Sequence, residues 1–191
     1  MIKVLGLALY GPLAASHRYR LGQYVAGLAT IGIDLQIRHI LGDDYLRARF
    51  KGQKLPLGAM LKDGLARFED LWDQTDYDAV MVNSELMPLM PGWFERALIY
   101  KPYIYDFDDA FYLKYSTGKM RLARPFLGAK FDTMMAGAAI VTAGNHVLFD
   151  YASQFNENIH YFPTVVDTDV ILAGNAHLLI IFHLIDLVFL I

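Results

Sequence analysis

Short apolar runs that each stop at a turn residue or a carboxylate constrain this chain more than any other feature. Residues 2–9 form a nearly continuous apolar run that breaks at Tyr10-Gly11-Pro12, the way a strand buried on both faces enters a loop. Residues 79–83, 103–105 (stopping at Asp106), 139–143 and 159–162 (stopping at Pro163) repeat the pattern, and Leu35, Ile37 and His39 begin another run. Between them lie stretches of helical period. Ser16 precedes Tyr19, Tyr24, Leu28 and Ile31, with Gly32 behind, which predicts a helix over 17–31. In the polar stretch 43–74, Leu61, Leu65, Phe68 and Leu71 or Trp72 make an apolar stripe that predicts a core-facing helix. Further helices are predicted over 92–99, 126–136 and 145–155. Strands alternating with helices argue for an α/β fold: a doubly wound, mostly parallel, Rossmann-like sheet with its ligand crevice beyond the carboxyl ends of the strands.

Composition sets the limits of function. With 55% hydrophobic residues in 191, the chain has material for one core. Its 17 Lys and Arg against 20 Asp and Glu leave no basic surplus to recommend nucleic acid as a partner. The absence of cysteine excludes disulfides, thiolate metal sites and cysteine nucleophiles, and permits a reducing, cytoplasmic compartment. The amino terminus lacks the charged and apolar segments of a signal peptide. Residues 1–170 read as one domain. Residues 171–191 read as a separate apolar tail whose single formal charge is Asp186, first as a non-native or truncated end, then as a buried helix, then as a membrane anchor. A span needs about 20 apolar residues, more than this interrupted block supplies.

Polar side chains collect where the strand runs end. The turn after the first run has neither a Gly-x-Gly-x-x-Gly fingerprint nor a phosphate loop, so no nicotinamide or other cofactor is expected. It offers Gly11, with Arg18 and Arg20 at a helix start, where backbone N–H groups favour anions. Asp106-Phe107-Asp108-Asp109 is the densest acidic group. It is open to three readings besides caps and turns: the Asp-x-Asp of a haloacid-dehalogenase-type phosphatase, though Ala110 stands where a hydroxyl residue belongs; ligands to a divalent metal; or a carboxylate that orients a substrate hydroxyl. Asn83, Ser84 and Glu85 line the same edge, and Asn145 is placed to cap a helix. The histidines show no metal-ligand spacing. Between Asp109 and Asp132 there is no acid, while Lys114, Lys119, Arg121, Arg124 and Lys130 fall among Tyr115, Leu122, Phe126 and Leu127. This basic and apolar run is a candidate contact with anionic lipid or a phosphorylated acceptor.

Taken in order, Tyr10-Gly11-Pro12, Ser16-His17-Arg18-Tyr19-Arg20, Ser84-Glu85-Leu86-Met87-Pro88, Tyr105 through Ala110, Ala143-Gly144-Asn145 and Pro163 through Thr168 resemble the amino-terminal half of a group 1 glycosyltransferase of the two-domain GT-B fold. The resemblance implies transfer from a nucleotide-sugar donor to a glycan or lipid-linked acceptor, without a bound metal, and with peripheral membrane contact. It implies Asp108 and Asp109 as catalytic carboxylates, standing about where many relatives have a His-Asp pair, so that no imidazole role carries over. Gly11, Arg18, Arg20, Glu85, Asp106 and Asn145 would bind substrate. Such chains run on into a donor-binding domain, so the resemblance also implies a missing carboxy-terminal half and a fragment inactive alone; the alternatives are an aspartate-dependent phosphatase and a non-catalytic binding module.

Overall fold

A computed structural model of the chain describes residues 1–165. The apolar tail from Ile171, and the motif residues from Val166 to Thr168, lie outside the described residues. A single parallel sheet of six strands forms the centre: β1 (Ile2–Tyr10), β2 (Ile33–Leu41), β3 (Ala79–Asn83), β4 (Tyr103–Phe107), β5 (Ile140–Ala143) and β6 (Ile159–Tyr161). Their spatial order is β2-β1-β3-β4-β5-β6. The alternation of side chains along each strand sorts the core into two layers. Leu5, Leu7, Val80, Val82, Tyr103, Tyr105 and Val141 meet Leu71, Phe131, Met134 and Leu148 on one face. Val4, Ala8, Met81, Ile104 and Ile140 meet Leu21, Tyr24 and Leu28 on the other. Both faces being covered is why the strands read as unbroken apolar runs. The fold is the expected α/β, doubly wound, Rossmann-like one.

Helices α1 (Val25–Thr30), α2 (Asp43–Phe50), α3 (Leu57–Trp72), α4 (Gly92–Leu98), α5 (Arg124–Leu127), α6 (Lys130–Gly137) and α7 (His146–Ala152) connect the strands. Two of them correct the sequence reading. The continuous helix expected over 17–31 is broken into a wide π turn (His17–Leu21), a tight turn (Gly22–Tyr24) and α1. Arg20 and Leu21, which end the wide turn, are both buried. The stripe on α3 faces the wrong way for a core helix. Leu61, Leu65, Phe68 and Trp72 are exposed, and the helix rests instead on Leu71 and the fully buried Arg67.

The topology fixes where the chain can hold a ligand. From β1 the chain crosses one face to β2, then recrosses on the other face to β3 and continues outward through β4, β5 and β6. The connections leaving β1 and β3 therefore diverge to opposite sides of the sheet, and a crevice opens between their carboxyl ends.

Candidate functional site

That crevice is a cavity of about 570 Å³ lined by Tyr10, Leu41, Tyr45, Arg49, Met60, Pro88, Asp109, Ala110, Phe111, Leu113, Lys114 and Thr117. Each wall follows the carboxyl end of one of the four strands β2, β1, β3 and β4. Tyr10 ends β1, Leu41 ends β2, and α2 behind it supplies Tyr45 and Arg49. Pro88 follows β3, and the segment from Asp109 follows β4. Beneath them Leu9, Ile40, Leu41, Tyr45 and Leu46 form a small buried cluster against which Tyr10, Met60 and Phe111 pack. The floor is thus apolar and preformed.

The rings of Tyr10 and Tyr45 lie nearly parallel, 16° apart with centroids 6.3 Å apart, and Arg49 Nη1 donates to the Tyr45 hydroxyl at 2.9 Å. Burial, then the neighbouring Tyr45, hold the Tyr10 hydroxyl protonated above its ordinary range. It therefore enters any recognition as a neutral donor and acceptor. Lys114 Nζ pairs with Glu85 Oε2, and Asp109 is exposed at the rim.

Below the crevice, two buried polar clusters hold the loops in place. Asp106 is fully buried and accepts from Arg20 Nε at 3.1 Å, Asn83 Nδ2 at 2.8 Å and Thr142 Oγ1 at 2.6 Å, with Arg20 Nη2 on its Oδ1. Arg20 Nη1 donates on to the Phe162 carbonyl at 2.5 Å. One carboxylate therefore ties the ends of β3, β4 and β5 to the π turn. In the second cluster Lys130 Nζ lies 2.8 Å from Glu85 Oε1 and 2.9 Å from Glu95 Oε1, and donates to the Met87 carbonyl at 2.5 Å. Tyr115 donates to Glu85 Oε1 at 2.5 Å and accepts from Leu89 N at 3.1 Å. Burial opposes ionisation of both glutamates. The two lysines beside Glu85 outweigh it and lower that carboxyl, whereas burial wins at Glu95 and raises it to about 7.

The residues named from the sequence are distributed unevenly over this architecture. Of the residues named as catalytic or substrate-binding, Asp109 alone lines the crevice, joined there by Lys114 of the basic run. Asp108 is half-buried, with its carboxyl raised by burial and then by Asp106, and its Oδ1 has no hydrogen-bond partner among the described residues. Arg20, Asp106 and Glu85 spend their polar atoms on the two clusters. Arg18 folds back on its own loop, donating through Nη1 to the carbonyls of Pro12 at 3.0 Å and Leu13 at 2.6 Å. Gly11 makes room for Asp43, whose Oδ1 a β-carbon there would meet at 2.6 Å. That same Oδ1 accepts from Leu13 N at 3.0 Å. Asn145 caps α7 by accepting from Leu148 N at 3.0 Å.

Tyr45, Arg49 and Phe111 escaped the sequence reading, and Tyr10 enters it only as the end of its run. The usable signal was position, since each follows the carboxyl end of a strand run. An aspartate nucleophile of the phosphatase kind is not available at Asp106, which is locked in its ion pair. Among the described residues no group of three or more His, Cys, Asp or Glu is placed to hold a metal ion. Nor is any helix among them long and apolar enough to cross a membrane.

No protein-family model and no curated protein matches the chain. A solved structure that aligns with it is the azoreductase from Bacillus anthracis str. Sterne, at 15% identity over 81% of this chain and 93% of that one, with a TM-score of 0.30. These findings overturn the glycosyltransferase resemblance. No family model or curated protein carries it, and a solved structure that aligns is an azoreductase. The sugar-transfer activity goes with it. The phosphatase and binding-module alternatives gain no support from the same comparisons. Among the described residues, the motifs at Tyr10, Ser84, Tyr105 and Ala143 lie at strand ends, where doubly wound sheets of many functions gather polar turns.

Proposed function

We propose that the crevice between the ends of β1 and β3 receives a small organic ligand with a flat apolar face and an anionic group. The observation that carries this reading is the lining itself. Tyr10, Tyr45 and Phe111 offer ring faces and edges, Leu41, Met60, Pro88 and Leu113 offer apolar walls, and Arg49 brings positive charge, Lys114 being held on Glu85, with the carboxylate of Asp109 at the rim. A cavity of about 570 Å³ falls within the roughly 300–1,000 Å³ common for small-molecule sites. Its place at the point where connections diverge is where open α/β sheets bind ligands. Arg49 supplies a planar fork for a carboxylate, sulfonate or phosphate, while Asp109 accepts from a ligand hydroxyl or amine at the rim. The compartment consistent with the cysteine-free composition is the cytoplasm.

An anilinonaphthalene sulfonate, a flat apolar ring system carrying one anion, is a direct probe. Its fluorescence should rise on mixing with the protein. The Phe111→Ala and Arg49→Gln variants should each weaken binding by about tenfold, the scale of one aromatic or charge-assisted contact. A Leu61→Gln/Leu65→Gln variant, altered only on the exposed face of α3, should bind as the parent does. Binding that follows α3 and ignores Phe111 and Arg49 would refute the assignment.

A further inference from the structure

Beyond the crevice, a second surface lies in the segment that follows its rim. Residues 111–117 complete the crevice wall, and the chain then makes a tight helical turn (Gly118–Ala123) leading directly into α5. This segment sits on the body through the buried Leu127 and the partly buried Met120 and Ala123, all packed into the larger core layer. Four residues apart on its outer side, Leu122 is 93% exposed and Phe126 80% exposed. Leu122 lies in the tight turn and Phe126 in α5, and both large apolar groups project into solvent.

The charge around them has one sign. Arg121 and Arg124 are exposed, flanking the apolar pair, and Lys119 adds a third positive charge to the same stretch of sequence. No Asp or Glu occurs between Asp109 and Asp132 in a chain whose formal net charge is −3. The other two cations of the run, Lys114 and Lys130, are turned inward onto Glu85, so the outward charge is that of Arg121 and Arg124. Two protruding apolar side chains with cations beside them match a surface that is negative at its face and apolar just beneath. An acidic protein surface would answer the arginines and leave Leu122 and Phe126 in water.

We propose that residues 118–127 form a docking element for an anionic lipid bilayer, with Leu122 and Phe126 entering the headgroup boundary and Arg121 and Arg124 pairing with lipid phosphates. Docking would be peripheral and reversible, since a few apolar side chains and a few charges make only a shallow anchor. It would also set the crevice rim, through Leu113, Lys114 and Thr117, next to the bilayer face.

The test is co-sedimentation of the full chain with vesicles of phosphatidylcholine alone and with vesicles of equal parts phosphatidylcholine and phosphatidylglycerol. Binding should occur on the anionic vesicles, fall as salt is raised, and be weak on the neutral ones. Arg121→Gln/Arg124→Gln should reduce it on the order of 30-fold, from about 1 kcal/mol for each surface cation. Leu122→Gln/Phe126→Gln should reduce it at least tenfold. Both pairs are exposed, so circular dichroism and thermal midpoints should stay at parental values. Anionic-vesicle binding retained by both double variants would arise elsewhere in the chain and would overturn the proposal. No binding to anionic vesicles, or equal binding to neutral ones, would overturn it too. The anilinonaphthalene sulfonate measurement, made without lipid, tests the crevice separately.

Discussion

Asp106 is the side chain on which most of the carboxyl edge depends. It stands at the end of β4 with Arg20 fully buried against it, and donors from β3 and β5 complete its coordination. Removing one member of such a pair leaves the other charge buried without compensation, a loss of about 3–5 kcal/mol. Asp106→Ala should therefore lower the urea-unfolding free energy by that amount. Asp106→Asn, which keeps the shape and loses the charge, should recover only part of it. Neither should change the affinity of the folded fraction for the anilinonaphthalene sulfonate probe, because Asp106 does not line the crevice. A loss below about 1 kcal/mol in Asp106→Ala would show that Arg20 finds other partners.

Glu95 makes a prediction of opposite sign. Burial raises its carboxyl from 4.5 to about 7 in the folded chain. Between those values the folded state holds a proton that the unfolded state has released, so stability falls as pH rises from 4.5 to about 7. The full loss across that window is about 3 kcal/mol, since a tenfold change in proton affinity is worth about 1.4 kcal/mol. Glu85, held below its ordinary value by Lys130 and Lys114, acts in the window beneath 4.5, where its contribution is lost as pH falls. Glu95→Gln should flatten the stability profile between pH 4.5 and about 7 while leaving the acid limb in place. A slope unchanged in that variant would place the titration elsewhere.

At the scale of elements, α3 shows most clearly what apolar periodicity can and cannot say. The helix exists where its period placed it, yet Leu61, Leu65, Phe68 and Trp72 look outward and Arg67 looks in. Arg67 gains one good bond, Nη2 to the Ala8 carbonyl at 2.7 Å, and a long ion pair to Asp70 at 3.5 Å. Its Nε has no hydrogen-bond partner among the described residues, and burial lowers its pKa to about 10. A buried charge so thinly compensated is replaceable by an apolar side chain of similar length. Arg67→Met should therefore unfold within about 1 kcal/mol of the parent. Arg67→Ala should lose about 2–5 kcal/mol through the cavity it leaves. Chemical denaturation of the pair decides the point. A Met variant as unstable as the Ala variant would show that the guanidinium is needed as a charge.

The strands, by contrast, were legible to within a residue or two. β3 coincides with the run at 79–83, because a strand covered on both faces is written mostly in apolar residues, its polar Asn83 being paired at the carboxyl end. The 17–31 stretch carried helical period but not the break at Gly22, which is set by Arg20 reaching a carboxylate 86 positions away. Pairings at that separation leave no local trace, and for the same reason Arg20, Asp106 and Glu85 were readable as an edge-of-sheet group without their bonding being readable. The crevice wall from α2 was missed because Tyr45 and Arg49 belong to a helix that looks ordinary in sequence. Only the strand order, which sets β1 beside β3, brings them over the ligand position.

The whole molecule is stiffest at its middle and opens at its edges. β3 and β4 are buried along their full length, and β1 over six of its nine residues, whereas β6 is a three-residue edge strand whose side chains are half-buried or exposed. Opening free energy rises with buried apolar contact and with pairing on both sides. Native-state hydrogen exchange should therefore rank the amides of Val80 to Val82 and of Ile104 and Tyr105 slowest, near the global unfolding limit. The amides of β6 should exchange earlier through sub-global opening. The divergence of the loops at β1 and β3 adds a functional corollary, since a ligand in the crevice touches loop ends and leaves the sheet centre alone. Adding the anilinonaphthalene sulfonate should slow exchange in residues 109–117 and 45–49. The centre of β3 should gain only the increment that binding gives to global stability, about 2.7 kcal/mol at a ligand concentration one hundred times the dissociation constant. Protection that instead rises in β5, β6 and α7 would locate the ligand at the far edge of the sheet, and would show that the crossover between β1 and β3 is not where this chain meets its ligand.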